Sequence, residues 1–322
     1  MQMITAILKL IEKGGPFVVA SHEGPDGDAI SSTLALTNAL REMGHEVVAY
    51  NRDGLPDSYA FLPGAETLVS ELPTDKRYAV GFVLDAGELR RAGSHLADCC
   101  DLLVNIDHHP FSERFSDYYL VDETACATGA MIHRILTSAQ HPISEPVALC
   151  IYTAVLADTG SFRYSNANPE AFAIASAMVE QGVDPWTVAA GLYENQPEKR
   201  LRLLARALEQ LTVAPCGRYA SVSVTTEMLQ QTDTGPEHTD GFVNYPRSIH
   251  GVEVGLFFRQ LGPDRFKIGF RSKGAIDVGS LARALGGGGH HNAAGAEIQG
   301  DLEMVRTQVF TRLDELLLPQ YK

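Results

Sequence analysis

Short apolar runs that each end in polar residues recur through the first third of the chain. PFVVAS at 16–21 is the first, and AVGFVLDAG at 79–87 and DLLVNIDHH at 101–109 follow the same design. A stretch with helical spacing, 28–43, comes after the first run. Strands that alternate with helices favour a largely parallel sheet, in which ligands gather beyond the carboxyl ends of the strands. We therefore expect the trailing polar residues to meet at one edge of the sheet.

The rest of the chain turns helical after residue 120 and returns to strands after residue 217. The spacing of apolar residues predicts helices at 125–139, 144–157, 168–182, 184–193, 197–213, 277–285 and 301–317. It predicts strands at 218–226, 251–260 and 264–272. We expect an α/β domain with a parallel-dominated sheet flanked by helices at 1–190, a helical linker at 191–213 and a smaller α+β domain at 214–322. The active site is expected in the cleft between the domains.

Charge and cysteine usage exclude several classes of protein. The formal net charge is −14, and the first 213 residues carry 15 Lys and Arg against 28 Asp and Glu, which argues against a broad nucleic-acid-binding surface. The five cysteines form no CxxC pair, so neither a structural zinc site nor a disulfide framework is indicated. The opening MQMITAILKLIEKGG is too short and too charged for a membrane span. We expect a cytoplasmic protein that binds no membrane.

Three acidic motifs have an ordinary structural explanation when each is taken alone. His22, Asp26 and Asp28 follow the first strand, where a polar turn with Asp28 as the helix N-cap would account for them. Asp85 stands before Ala-Gly in a sequence typical of turns, and Asp158 in VLADTG could simply end a helix. Taken alone, each motif leaves both a turn and a functional site open.

Asp107, His108 and His109 are harder to explain, because adjacent imidazoles at a strand end suit neither a core nor a turn. Together the motifs supply two imidazoles and at least four carboxylates, without thiolates. That set favours hard or borderline divalent ions such as Mn²⁺ or Mg²⁺. Two such ions would ionise a water between them and neutralise the oxyanions of a phosphoester. No GxSxG, Walker or Cys–His signature offers another nucleophile.

A glycine run near the end of the chain indicates an anion site. Residues 286–289 are four glycines, followed by His290 and His291, and consecutive glycines let backbone N–H groups approach an anion. A flexible linker is the alternative, although none is expected between a helix and the AAGAEI segment. Arg271 ends a predicted strand and could bind a phosphate through two hydrogen bonds, and Arg247 is a weaker candidate of the same kind.

The order of these motifs resembles that of a known family. His22-x3-Asp26-x-Asp28, Asp85, Asp107-His108-His109 and Asp158 are similar to the four motifs of the DHH phosphoesterases. GGGGHHNAAGA is similar to the signature of the DHH-associated C-terminal domain. The resemblance covers nearly the whole chain, including SFRYSNANPEAF and LYENQPEKRLRLLARAL, and points to the compact branch of nanoRNases and pAp phosphatases. Departures at Glu23, Gly24, Ser31 and His291 touch no proposed ligand and concern substrate preference only.

The resemblance implies a role for each matching residue. The ligands of one ion would be His22, Asp26 and Asp85. The ligands of the second ion would be Asp28, Asp85, His108 and Asp158, with Asp85 as the bridge. Asp107 would orient the site, and His109 would lie near the scissile phosphate. The residues that bind the phosphate of the substrate would be Arg271, Gly287, Gly288, Gly289 and His290.

The activity that the resemblance implies is a phosphohydrolase with two Mn²⁺ ions, or with Mg²⁺ or another divalent ion in their place. It would remove 5′-nucleotides from very short single-stranded RNA and release the 3′-phosphate of pAp. Small anionic substrates also suit an acidic chain better than a long duplex. A soluble phosphodiesterase for cyclic or linear dinucleotides and a non-catalytic nucleotide sensor stay open as alternatives. The oligomeric state is also open, with a homodimer as one candidate.

Overall fold

The computed structural model of the chain describes residues 2–317 and divides into two compact units, the first ending at Asn195 and the second beginning at Gln196. The helices of the first unit are α1 (Gln2–Lys13), α2 (Gly27–Glu42), α3 (Leu89–Ala92), α4 (Leu96–Cys99), α5 (Thr128–Ser138), α6 (Glu145–Asp158), α7 (Pro169–Glu180) and α8 (Pro185–Tyr193). Its strands are β1 (Phe17–Ser21), β2 (Val47–Tyr50), β3 (Leu68–Val69), β4 (Tyr78–Leu84), β5 (Cys100–Asp107) and β6 (Tyr118–Val121).

The sheet of the first unit reverses its strand order between β1 and β4. Its described strands lie in the order β3-β2-β1-β4-β5-β6, and all neighbours are parallel, with Val19 of β1 opposite both Ala49 of β2 and Phe82 of β4. The chain runs outwards from β1 to β3 and then places β4 on the other side of β1. The crevice beyond the carboxyl ends of the strands at such a reversal is the usual ligand site of this class of sheet.

Apolar residues on both faces of the strands explain why this sheet is buried. Every residue of β1 is buried, and so are the last five residues of β4. Phe17, Val19 and Phe82 belong to the core that includes residues of α2, α5 and α6, whereas Val18 and Val83 belong to a second core on the other face. Strands that are apolar on both faces are typical of parallel sheets covered by helices.

The second unit combines a mixed sheet with five described helices. These are α9 (Glu198–Glu209), α10 (Thr226–Gln231), α11 (Asn244–Ser248), α12 (Val278–Ala284) and α13 (Leu302–Leu317). The described strands are β7 (Thr212–Val213), β8 (Tyr219–Val224), β9 (Val254–Gly262), β10 (Arg265–Ser272), β11 (Gly288–His290) and β12 (Ala293–Gln299). They lie in the order β11-β12-β10-β9-β8-β7, in which β8 and β9 are parallel and the other neighbours are antiparallel.

The predicted fold class is confirmed: a parallel sheet flanked by helices, followed by a second domain built on its own sheet. The helix predicted at 197–213 is shorter, because α9 ends at Glu209 and Thr212–Val213 form β7. The glycine run is part of a β-hairpin, β11 and β12, which the sequence did not indicate because glycine and alanine have low strand propensity. Within residues 2–317, no helix is both long and apolar enough to cross a membrane.

Candidate metal centre

The predicted site residues, both the ligands and the orienting Asp107, lie at the carboxyl edge of the first sheet, where its strand order reverses. His22 directly follows β1, Asp85 directly follows β4, and Asp107 is the last residue of β5. Asp28 lies in the first turn of α2, and Asp158 is the last residue of α6. The five residues come from separate parts of the chain, and the topology of the sheet and its covering helices brings them together.

Three groups of side chains in the described chain could hold a metal ion, each with ligand atoms within 4.8 Å of one another. The first group is His22, Asp26 and Asp85. The second group is Asp28, His108 and Asp158. The third group is Asp85, His108 and His109. All six residues that the sequence analysis selected as metal ligands therefore lie in adjoining groups.

Backbone carbonyls determine which nitrogen of each ligand imidazole is available. His22 Nδ1 lies 2.8 Å from the carbonyl oxygen of Glu23, and His108 Nδ1 lies 3.2 Å from that of Ala125. A carbonyl oxygen only accepts, so each Nδ1 carries the hydrogen. In the neutral rings Nε2 is thus the nitrogen with a lone pair that can coordinate, and both Nε2 atoms face Asp85, at 3.5 Å for His22 and 3.4 Å for His108.

Asp85 presents its two carboxylate oxygens to different neighbours. Oδ2 lies nearest His22, whereas Oδ1 lies nearest His108 and accepts a hydrogen bond from the Thr128 hydroxyl at 3.1 Å. The residue is buried, and its φ of 55° lies in the left-handed region that non-glycine residues rarely adopt. Such backbone strain is typical of functional sites. The geometry suits a carboxylate that serves two ligand groups at once.

The helix N-cap of α2 is Asp26, and the expectation that Asp28 fills this role is wrong. Asp26 Oδ1 accepts hydrogen bonds from the backbone N–H groups of Asp28 and Ala29. Asp28 is instead one residue inside the helix, where its carboxylate is buried and points away from the cap. It accepts hydrogen bonds from the backbone N–H groups of Thr128 at 2.6 Å and Gly129 at 3.0 Å. The negative carboxylate thereby caps the positive N-terminus of α5.

Asp158 is held by an amide from the loop that follows α6. Asn166 Nδ2 lies 3.0 Å from Asp158 Oδ2 and also donates to the backbone carbonyl of Cys126. The loop returns to the site through a left-handed turn, in which Gly160, Ser161 and Phe162 have φ between 56° and 61°. Because three consecutive left-handed residues are costly, this turn indicates a conformation that the surrounding contacts enforce.

Asp107 and His109 form a separate pair beside the ligand groups. Asp107 Oδ1 lies 2.8 Å from His109 Nδ1 and accepts the backbone N–H groups of both His108 and His109. Burial would raise the pKa of Asp107, but the hydrogen bond from His109 lowers it, so the carboxylate is ionised and His109 Nδ1 donates. This bond removes His109 Nδ1 from coordination, although that atom also lies 3.5 Å from Asp85.

Burial and charge shift the protonation of the ligands in opposite directions. Burial and the charge of Asp85 raise the pKa of Asp28 well above its usual range, and burial raises that of Asp158 to about 6. Burial alone would lower the pKa of His22, but Asp85 and Asp26 outweigh it and raise the value to about 9. Burial would also raise the pKa of Asp85, yet its hydrogen bonds with His108 and His22 hold it well below its usual range. The site therefore concentrates more negative charge than its imidazoles compensate.

Glu23 and Gly24, which departed from the family pattern, have structural explanations. The Glu23 carboxylate lies 3.3 Å from the Arg52 guanidinium. Gly24 has φ of 58°, a region that favours glycine, and its N–H donates to the Asp53 carboxylate at 2.6 Å. Both residues fasten the loop after β1 to the loop after β2, which places His22 beside its carboxylate neighbours.

The predicted phosphate-binding residues lie in the second unit, on β10, α11 and the β11–β12 hairpin. Arg271 is half-buried on β10, and within residues 2–317 its guanidinium has no carboxylate partner. Arg247 belongs to α11, which packs against Gly255 of β9 so tightly that a Cβ there would lie 2.7 Å from Arg247 Cβ. His290 belongs to β11, and its side chain lies outside the described part of the chain.

The glycine run has two kinds of glycine. A Cβ at Gly287 would lie 2.0 Å from the carbonyl oxygen of Gly295, and Gly289 has φ of 136°, so the hairpin itself requires both. At Gly288 a Cβ would meet nothing within 4 Å. Packing therefore explains the glycines at 287 and 289, but it does not explain the glycine at 288.

Comparisons with known proteins agree with this geometry. Two family models match: the DHH family, N-terminal domain, over residues 16–155, and the DHHA1 domain over residues 219–317. The bifunctional oligoribonuclease and PAP phosphatase NrnA of Thermus thermophilus is 31% identical, over 98% of this chain and 94% of its own length. The chain belongs to the DHH family. The Bacillus subtilis protein of the same name is 26% identical, over 92% of this chain and 93% of its own length.

Solved structures of DHH-like proteins share the fold. An exopolyphosphatase-related protein from Bacteroides fragilis is similar with a TM-score of 0.89 and 30% identity, over 98% of this chain and 96% of that one. RecJ of Thermus thermophilus, solved in complex with Mn²⁺, has a TM-score of 0.52 and 13% identity, over 98% of this chain and 54% of its own. The likeness to RecJ shows the fold alone.

Sequence reasoning missed the residues that hold the ligands of this DHH-family site. Thr128 contacts Asp85, and Asn166 contacts Asp158. Thr128 begins a helix, where a threonine is typical for structural reasons alone. Asn166 lies in the SFRYSNANPEAF segment that contributed to the family resemblance, but no spacing rule connects it with Asp158. Neither contact leaves a local signal in a single sequence, since Thr128 lies 43 positions from Asp85 and Asn166 lies 8 positions from Asp158.

Proposed function

We propose that this DHH-family chain is a metal-dependent phosphohydrolase, which degrades very short RNA to mononucleotides and dephosphorylates pAp to AMP. The observation that carries the proposal is a pair of adjoining ligand groups, one containing His22 and the other His108, with Asp85 facing these two imidazoles through separate oxygens. Such a pair is suited to in-line displacement at phosphorus. The names of the Thermus thermophilus and Bacillus subtilis relatives support the same substrates.

The donor set fits two divalent cations, and we propose Mn²⁺, with Mg²⁺ as the alternative. Oxygen and imidazole ligands without thiolate favour such ions. The raised pKa of Asp28, caused by burial and by the nearby charge of Asp85, reflects a repulsion that bound cations relieve. The proposed ligands of the first ion are His22, Asp26 and Asp85. The proposed ligands of the second are Asp28, Asp85, His108 and Asp158. When bound, the ions would supply Lewis acidity and lower the pKa of water.

His109 is the residue that we assign to the leaving oxygen. Its Nδ1 is bound to Asp107, and Nε2 is the nitrogen that we propose faces the substrate. The His109 side chain is 22% exposed, whereas that of Asp107 is fully buried. An ionised Asp107 holds the imidazole in one tautomer and one orientation. Asp107 is thus proposed to position His109 rather than to react.

The second unit is proposed to bind the anionic end of the nucleotide. Arg271 supports this because its half-buried guanidinium, which has no carboxylate partner among residues 2–317, is suited to a phosphate. Gly288 pairs with Gly295, which pairs in turn with Gly269, so three glycines lie in register across adjacent strands. Gly287, Gly289 and His290 complete the predicted phosphate site, and Arg247 stays a secondary candidate.

Replacing Asp85 tests the metal-dependent assignment. In Asp85→Ala, we expect bound manganese and hydrolysis of two- to five-nucleotide RNA and of pAp to be lost together. Asp101→Ala is a matched control, since Asp101 lies near the start of β5 and pairs with the exposed Arg77. Metal content by elemental analysis and turnover with and without chelator are measured. Unchanged hydrolysis in Asp85→Ala would refute the assignment of a metal-dependent phosphohydrolase.

The substrate class is tested by comparing pAp, short RNA, long RNA and cyclic dinucleotides. We expect turnover of pAp and short RNA, and activity confined to long RNA or to cyclic dinucleotides would contradict the proposal. In Arg271→Ala, KM should rise while bound manganese stays unchanged. Arg312→Ala, which removes an exposed guanidinium beside Glu315 on α13, should leave KM as it is. Loss of manganese in Arg271→Ala would mean that Arg271 supports the metal centre.

We propose a cytoplasmic location, which agrees with five free cysteines, since a reducing compartment keeps thiols unpaired. The homodimer stays a prediction. A sedimentation experiment on the full chain tests the oligomeric state.

A further inference from the structure

We propose that Thr128 is a positioning residue whose hydroxyl sets the orientation of the Asp85 carboxylate in the metal-loaded protein. The inference rests on the proposed metal-dependent function and assigns a role to a residue that lies in none of the ligand groups. Three observations carry it: the contacts of Thr128 with two ligand carboxylates, the hydrogen bonds that remain on Asp85 when ions bind, and the rigid placement of the start of α5.

Thr128 connects carboxylates from the two ligand groups. It is the first residue of α5 and is fully buried. Its backbone N–H donates to Asp28 Oδ2 at 2.6 Å, and its hydroxyl donates to Asp85 Oδ1 at 3.1 Å. The residue before it, Ala127, makes no side-chain cap, so the carboxylate of Asp28 takes over the capping of α5. Thr128 thereby links Asp28, from one ligand group, to Asp85, from another.

The hydroxyl is the donor that stays on Asp85 once cations are bound. The imidazoles of His22, His108 and His109 also lie within 3.5 Å of the Asp85 carboxylate. His22 and His108 carry their hydrogens on Nδ1, and their Nε2 atoms would hold the proposed ions rather than donate to Asp85. His109 Nδ1 donates to Asp107. In the metal-loaded protein, the hydroxyl of Thr128 would therefore be the hydrogen-bond donor that orients Asp85 Oδ1.

Close packing gives Thr128 the rigidity that positioning needs. Gly129 follows it, and a Cβ at Gly129 would lie only 2.4 Å from the Cβ of Ala154 on α6. Glycine thus lets the first turn of α5 lie directly against α6. The hydroxyl of Thr128 donates to Asp85. Threonine hydroxyls in helices often bond to a backbone carbonyl instead. A ligand carboxylate held by a fixed donor loses less freedom when it coordinates.

The test compares variants that separate the hydroxyl from the shape of the side chain. Thr128→Val keeps the shape and removes the hydroxyl, whereas Thr128→Ser keeps the hydroxyl and removes the methyl group. Thr153→Val is the matched control, because buried Thr153 on α6 donates to the carbonyl of Leu149 and belongs to none of the ligand groups. Manganese titration of the full chain by calorimetry measures affinity, with circular dichroism to verify folding.

We expect Thr128→Val to bind manganese about 10–100-fold more weakly, the range found when partners of metal ligands are removed. Its kcat should fall while KM for pAp stays unchanged, and Thr128→Ser and Thr153→Val should bind as the parent does. Should Thr128→Val fail to fold, Thr128→Ala against Thr128→Ser makes the same comparison. Parental affinity in the folded variant without the hydroxyl overturns the inference. A parent chain that binds no manganese instead overturns the proposed function.

Discussion

Manganese binding should strengthen as pH rises, because the ions must displace protons from the ligand imidazoles. His22 Nε2 lies 3.5 Å from Asp85 Oδ2 and 3.9 Å from Asp26 Oδ1. Burial lowers its pKa, but these two carboxylates more than offset burial and raise it to about 9. The pKa of His108 is also raised, since Asp85, Asp158 and Asp28 outweigh its burial. Both imidazoles therefore carry a hydrogen on each nitrogen, and a positive charge, at pH 7 in the metal-free protein.

The size of the effect follows from the proton count. A group with a pKa of about 9 is almost fully protonated at pH 7, so the first ion should release about one proton from His22. The apparent association constant of the His22 group should then rise about tenfold between pH 7 and pH 8, which corresponds to ~1.4 kcal/mol. Below pH 6 the manganese affinity of the group that contains Asp158 should depend more steeply on pH, since burial raises the pKa of Asp158 to about 6.

Calorimetry in buffers with different heats of ionisation measures both quantities. The variation of the binding heat with the buffer gives the number of protons released, and titrations between pH 6.5 and pH 8 give the slope of affinity. In His22→Asn the slope for the first ion should disappear. His95→Asn is the control, because His95 packs edge-on against Tyr50, outside the ligand groups, and should keep the slope. Affinity that is constant over this range, without proton release, would refute the reasoning.

Two further predictions concern neighbouring residues of the same type. Asn166→Ala should weaken manganese binding about tenfold, since it leaves Asp158 Oδ2 without its amide. Asn168→Ala loses the N-cap of α7 and should cost ~1 kcal/mol of unfolding free energy while affinity stays unchanged; equal affinities for the two variants would contradict this assignment. Gly287→Ala should lower the free energy of unfolding by ~1–3 kcal/mol, because its Cβ would collide with the carbonyl of Gly295. Gly288→Ala should leave stability unchanged and raise KM for pAp, and denaturant unfolding with steady-state kinetics measures both.

Much of the metal centre was predictable because its residues occupy positions with a physical rationale. Polar residues at the ends of buried strands have few structural roles, so Asp107 and His108 stood out. The parallel sheet then predicted that His22 and Asp85 would approach each other from β1 and β4, which lie side by side. The chemistry of the donors indicated hard divalent ions. All of these arguments use local sequence and one general property of parallel sheets.

Other details depended on contacts that local sequence does not encode. Asp26 and Asp28 are both reasonable N-caps for α2, and the approach of α5 decides between them, since its N-terminus requires Asp28. The sequence predicted an anion site at the glycine run but no hairpin, because β11 is stabilised by pairing with β12, and β12 by pairing with β10, rather than by large apolar side chains of their own. The left-handed backbone of Asp85 is likewise enforced from outside the residue.

The sequence by itself therefore determined the architecture and the donor chemistry: apolar periodicity specifies which segments are buried, and residue type specifies which ions the site suits. Only the tertiary structure decided how Asp85 divides its oxygens between His22 and His108, and that Thr128 and Asn166 hold the ligands in place. The physical reason is range. Propensity and periodicity act over a few residues, whereas the hydrogen bond from Thr128 to Asp85 spans 43 positions and exists only after the sheet and its helices have packed.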